Sequence, residues 1–270
     1  MWKEEGRKPI LEYLFWTFLI SWVSEGVIYI TEQLNILPTS FEKVLTLIII
    51  GFSAGLSPAY ATFIILKKHK MIGGFKDYWK RILACSSVGK TSFFLLIIAG
   101  FELVKCMVTE QSLGNPWYCF ILFIPMMVFG GGLEEIGWRG FLQPSLEEKF
   151  GFVFATMIQG IIWPAWHFPL WFLHNANQST FSVLAFMIYC MSFSFSLALV
   201  YKISRCVVAV ILLHAWGNVV LGGMFSFNAL TSFPSSKVLI FYGIEIMTAI
   251  ILSYMIDKKL KTLRYIKCGC

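Results

Sequence analysis

The residues of this sequence that could do chemistry fall in three short islands. The first reads Gly130-Gly-Gly-Leu-Glu134-Glu135-Ile-Gly-Trp-Arg139, the second Trp163-Pro-Ala-Trp-His167, and the third His214-Ala-Trp-Gly-Asn218. Neighbouring side chains on a helix project about 100° apart, so Glu134 and Glu135 must find different partners. Glu135 and Arg139 are four positions apart, share a helix face, and suit a guanidinium fork on one carboxylate. Glu134 is then aimed elsewhere, and a carboxylate in a poorly solvated site suits a general base working near neutral pH. His214 and Asn218 have the same spacing, so an imidazole and an amide present hydrogen-bonding groups from one face of a third helix.

The elements that must position these islands are membrane helices. Of 270 residues, 57% are hydrophobic and only 14% charged, against about 25% charged in ordinary soluble domains. No stretch is polar enough for a separate aqueous domain or a nucleic-acid module, so the expected architecture is all-α, a polytopic membrane helix bundle forming one integral-membrane domain over residues 1–270. A crossing needs about 20 mostly apolar residues whose backbone is internally hydrogen-bonded. Eight stretches qualify, at 10–30, 44–66, 83–103, 117–134, 152–172, 181–201, 207–225 and 238–256. With both termini cytoplasmic, 18 of the 22 Lys and Arg residues fall in inner segments, leaving Lys43, Lys105 and Lys237 outside and Lys90 within the third span. That bias fixes the expected orientation, a multi-pass protein of the cell membrane if prokaryotic. The excess of +7 then reflects topology and anionic lipid, with no nucleic-acid partner.

Several chemistries fail on residue types. An aspartyl intramembrane protease needs two Asp within spans, whereas Asp77 and Asp257 both lie at cytoplasmic edges. No His-Glu-x-x-His occurs, Gly89-Lys90-Thr91 lacks the upstream glycine of a phosphate loop, and the seven Cys have no metal-ligand spacing. Cys268-Gly-Cys270 closes the chain without a C-a-a-X signal, because Lys267 stands fourth from the end. Gly51 and Gly55 suit close helix packing. Glu25 and Glu245 have no evident partners and read as helix-contact or lumen residues, and His174, beside Asn175 and Asn177, reads as an outer-loop residue. If the fourth helix runs to Leu146 before a turn at 147–150, Glu134 lies about 12 residues before the turn and His167 about 17 after it, and His214 lies seven residues beyond Val207. On that count Glu134, His167, His214 and Asn218 meet in the cytoplasmic half of the membrane.

Together the three islands resemble the CPBP family of intramembrane glutamic proteases, also called Abi, whose eukaryotic relatives are the type II CAAX prenyl endopeptidases. That family carries Glu-Glu-x-x-x-Arg, Phe-x-x-x-His and His-x-x-x-Asn in this order, and the match here centres on about 117–225, with Trp163 where Phe is usual. The resemblance implies that Glu134 and His167 activate a water that attacks a peptide carbonyl. His214 and Asn218 would donate to the developing oxyanion, and Glu135 and Arg139 would fix the helix carrying Glu134. It implies a hydrolase with no cofactor and no metal, and His214 with Asn218 is a poor ligand set for zinc. Its partners would be membrane lipids and a peptide or protein substrate, lipidated or not, cut near the cytoplasmic face. The competing reading is a non-catalytic protein of the same fold, a scaffold or a bacteriocin-immunity protein; a solute transporter would want inverted repeats that the sequence does not show.

Overall fold

The computed structural model describes residues 8–35, 37–109, 115–116, 118–224 and 227–268; Lys3, Arg7 and Cys270, and the outer limits of the expected spans at 117 and 225, lie outside them. Among the described residues every regular element is helical. The long helices are α1 (Lys8–Leu34), α5 (Val88–Thr109), α9 (Val183–Ser204) and α11 (Ser236–Cys268). A further long path runs through α2 (Thr39–Ile48), a π-helical turn over Ile49–Ala54, and α3 (Ser57–Lys68), after which α4 (Phe75–Ile82) is short and amphipathic. Five stretches, 9–34, 40–68, 88–109, 183–204 and 236–260, are long and apolar enough to cross a membrane on length and composition.

The remaining three expected spans are helical but shorter or more polar, and they hold the motifs. One is α6 (Cys119–Phe129), which ends at Gly130 and leads through a 3-10 turn (Gly132–Glu134), the single turn α7 (Glu135–Gly137) and a π-helical turn (Trp138–Leu142). Another is α8 (Gln143–Trp166), where Gly151 breaks the helix at φ 75°, ψ 171°, just after the expected turn. The third is α10 (Val207–Asn218) with a π-helical turn over Val219–Met224. Non-ideal backbone at membrane depth is tolerated where protein surrounds it, and here long helices surround the short ones. The innermost helix is α9: 72% of its apolar window is buried, against 22% for α1, α5 and α11. It packs against α8, α11, α10 and α5.

In a bilayer, apolar faces gain little by leaving lipid for one another, so close packing and polar contacts must fix the helices. Both occur. Gly217 and Gly160 leave room for Phe193 and for Met191 at the two sides of α9. Indole N–H groups tie helices to backbone carbonyls, Trp22 to Trp166 at 3.1 Å and Trp216 to Ala99 at 2.8 Å. At one end of the bundle Lys202 binds Glu147 and Asp257, joining α9, α8 and α11, and Ser86 donates to the Ser204 carbonyl. At the opposite end His174 and Asn175, in their expected loop, are held by Glu32 and Glu42.

Two readings of the sequence need correction. Lys105 does not sit in an outer segment; it is 3% exposed inside the bundle, 2.6 Å from Glu102 and 3.0 Å from Glu245. Glu245 in turn has three partners on two helices, since Ser192 and Ser196 of α9 also donate to it at 2.6 and 2.5 Å. Both were unpredictable locally because Lys105 and Glu245 are 140 positions apart. Removing one partner of a buried ionic group typically costs ~3–5 kcal/mol, because the other charge is left uncompensated. Lys105→Met should therefore lower the unfolding temperature in mild detergent markedly, and adding Glu102→Gln and Glu245→Gln should restore part of the loss; an unchanged transition in Lys105→Met would contradict this placement.

Candidate active site

Glu134 closes the 3-10 turn after α6, and its side chain is turned into the bundle at 5% exposure. Its Oε2 accepts two indole N–H groups, from Trp163 at 3.0 Å and from Trp138 at 3.4 Å. Among the described residues nothing donates to Oε1, which leaves that oxygen available as a base. Glu135 begins α7, so the expected divergence of the two carboxylates is present. It is fully buried, and Arg139 Nη1 donates to both its oxygens at 2.9 Å.

That contact differs from the expected fork, which would use two guanidinium nitrogens. One nitrogen serves both oxygens here because the guanidinium lies 5.5 Å over the Trp163 ring, which orients its plane. The second surprise concerns His214. Its Nδ1 lies 2.8 Å from Glu135 Oε1, so Glu135 orients a histidine on α10 as well as its own segment. With Nδ1 committed there, Nε2 donates only when the ring carries both protons, and Glu135 supplies the counter-charge.

His167 caps the C-terminus of α8. Its Nδ1 faces the Trp163 carbonyl at 2.9 Å. A carbonyl only accepts, so the proton is on Nδ1 and the lone pair on Nε2. The ring is packed among Trp166, Phe186 and Trp163, with centroids 4.6, 5.2 and 5.9 Å away. Asn218 is half-buried, with Nδ2 at 3.4 Å from the Gly130 carbonyl.

Among the described residues Glu134, His167 and His214 make no direct hydrogen bonds to one another, yet all three meet Trp163. Its indole nitrogen holds Glu134, its carbonyl holds His167, and its ring lies 5.2 Å from the His214 ring in an edge-on contact. The aromatic position that the sequence reading treated as a mild departure is thus the centre of the site. Trp138 was also missed, although its spacing of four from Glu134 is the spacing that paired Glu135 with Arg139. A third missed residue is Gly131, at φ 149°, where a Cβ would fall 2.5 Å from Asn218 Nδ2 and 3.1 Å from His214 Nε2. The two groups expected to face an oxyanion therefore converge on one glycine. Its signal was the run of three glycines ahead of Glu134.

The site lies beside the middle of α9. Phe193 lies 6.3 Å from Trp163 and 6.0 Å from His214, and it is the eleventh of the 22 residues of α9. At ~1.5 Å per residue it is about 15 Å from either end of that helix.

A polytopic helical membrane protein with a buried glutamate and two histidines around one indole is the class that the fold and site define. Residues 115–220, which hold all three islands, match the family described as Type II CAAX prenyl endopeptidase Rce1-like, so this central region is similar to that family. The CAAX prenyl protease 2 of Methanococcus maripaludis is 36% identical over 59 residues, which are 22% of this chain and 22% of the relative. The aligned stretch thus spans about a fifth of the curated relative's length.

Placing a side chain at a left-handed position typically costs ~1–3 kcal/mol. Gly131→Ala adds a steric conflict with His214 and Asn218, so its unfolding temperature should fall by several degrees relative to the parent protein; equal stability would mean that this segment runs differently.

Proposed function

We propose that the chain is an intramembrane endopeptidase that uses Glu134 and His167, without a metal, to add water to a peptide bond, and that its termini and its access for substrate are cytoplasmic. The single observation that carries this reading is the state of Glu134: one oxygen is held by Trp138 and Trp163 and the other is unengaged among the described residues. Two donors fix the carboxylate's orientation, while the second oxygen can take a proton from water.

In the cycle, water bound between Glu134 Oε1 and His167 Nε2 loses a proton to Glu134 and attacks the carbonyl carbon. The oxyanion that forms faces Gly131, where His214 Nε2 and Asn218 Nδ2 donate to it. Collapse breaks the C–N bond, and the proton taken from water passes to the leaving amine. Glu135 acts through His214, holding the ring in place while Arg139 balances its charge. An oxygen already accepting two N–H groups is a poor ligand for a cation, and Glu135 is saturated by Arg139 and His214, so the donor pattern favours the metal-free course.

The substrate class is a peptide segment that reaches the site from the bilayer. The names of the matched family and relative make a lipidated C-terminal tail the first one to try. Glu134→Ala should lose cleavage of a native substrate by ~10²-fold or more while keeping the parent's unfolding transition, and undiminished turnover rejects the proposal. Trp163→Phe keeps an aromatic side chain but removes the N–H along with the five-membered ring, and loss of a hydrogen bond to a charged acceptor should lower kcat roughly 10- to 100-fold. Substrates are found by comparing membrane and released peptides in cells carrying the parent chain or Glu134→Ala.

A further inference from the structure

Five buried polar atoms that have no hydrogen-bond partner among the described residues lie on two adjoining segments beside the site: Arg139 Nε and Nη2, Gln143 Oε1, and both Nε2 and Oε1 of Gln159. All three residues are 0% exposed. Buried polar groups are almost always hydrogen-bonded, and an amide with neither end engaged is the strongest departure from that rule.

The groups form a connected row. Gln143 follows Arg139 by four positions across the π-helical turn, and its Nε2 donates to Thr156 Oγ1 at 3.1 Å. Thr156, Gln159 and Trp163 succeed one another by three and four positions, so they line one face of α8. The row closes at the site, where the Arg139 guanidinium lies 5.5 Å over the Trp163 ring. Its other end, at Gln143, begins the same helix turn that carries Ser145 and Glu147, and Glu147 pairs with Lys202 at the basic end of the bundle.

The ligand is identified by its chemistry. Arg139 offers only donors, Gln143 Oε1 only an acceptor, and Gln159 one of each. An anion would leave the two amide oxygens facing it, and a cation would face a guanidinium. Water alone serves both kinds, and buried waters typically make two to four such bonds.

We propose that Arg139, Gln143 and Gln159 bind a row of at least two water molecules that runs from the basic end of the bundle to the Trp163 side of the site. On the reading of the site as a hydrolase, this row supplies the water that each cleavage consumes at mid-depth, where lipid provides none. Gln159 is a positioning residue for that water; it does not touch the substrate.

X-ray hydroxyl-radical footprinting on the full chain in nanodiscs tests the row directly, because radicals made from bound water label the buried side chains beside it. Trp163 should be labelled in the parent protein despite its burial. In Gln159→Leu that labelling should fall several-fold, with exposed Trp79 on α4 unchanged. Gln159→Ser, which leaves room for a further water, should keep the labelling and serves as the folded control. With a cleaved substrate, Gln159→Leu should lower kcat by about tenfold with KM unchanged, the scale of one lost water-mediated hydrogen bond. A parent protein whose Trp163 is unlabelled, or a Gln159→Leu variant labelled as strongly as the parent, overturns the row whatever the activity. A Gln159-dependent label in a protein that cleaves nothing upholds the row and overturns the hydrolase reading instead.

Discussion

A carboxylate with no exposure inside a membrane helix bundle is tolerated only when its charge is met from more than one side. Glu135 is such a group, and much of the site follows from how it is met. Arg139 answers it from the same segment, four residues on, while His214 answers it from α10. The two contacts fasten the irregular stretch after α6 to the third motif helix, so the position of Glu134, one residue earlier, is fixed by its neighbour's charge balance. A neutral residue at 135 would free His214 to rotate and would leave Arg139 bare.

The architecture supplies what that balance needs. Charged groups and broken helices are costly against lipid, and here those of the three motifs lie on α6 to α8 and α10, packed against longer apolar helices. The same economy recurs on the other side of α9, where Lys105 is shared by Glu102 and Glu245. Phe193 lies between the two polar centres, with its ring 6.0 Å from both His214 and Lys105. One aromatic residue on the innermost helix thus separates two buried charge clusters and keeps each within its own set of partners.

What the sequence revealed, and what it hid, follows from the range of the interactions. Spacings of four residues placed Glu135 with Arg139 and put His214 and Asn218 on one helix, since these depend only on helix geometry. All eight apolar stretches are helical for the same local reason. The pairing of Lys105 with Glu245, the grip of His214 on Glu135 and the approach of Trp163 to Glu134 join residues far apart in the chain, and no periodicity encodes them. Trp163 contributes one polar hydrogen and one carbonyl, and its place in an aromatic-x-x-x-His motif reveals neither.

That last point bears on how a site of this kind diverges within a family. A phenylalanine at this position would offer its backbone carbonyl to the histidine four residues later and no N–H. Tryptophan keeps that contact and adds an N–H that reaches Glu134 from α8. Glu134, the proposed base, is therefore oriented by two helical segments, through Trp138 from its own and Trp163 from its neighbour, and the geometry between Glu134 and His167 passes through a single residue. Such coupling makes the active geometry stiffer, because α8 cannot slide along the Glu134 segment without breaking the indole contact. It also makes the spacing between base and histidine a property of one side chain, so that evolutionary change at position 163 alters the relation between the two groups without touching either.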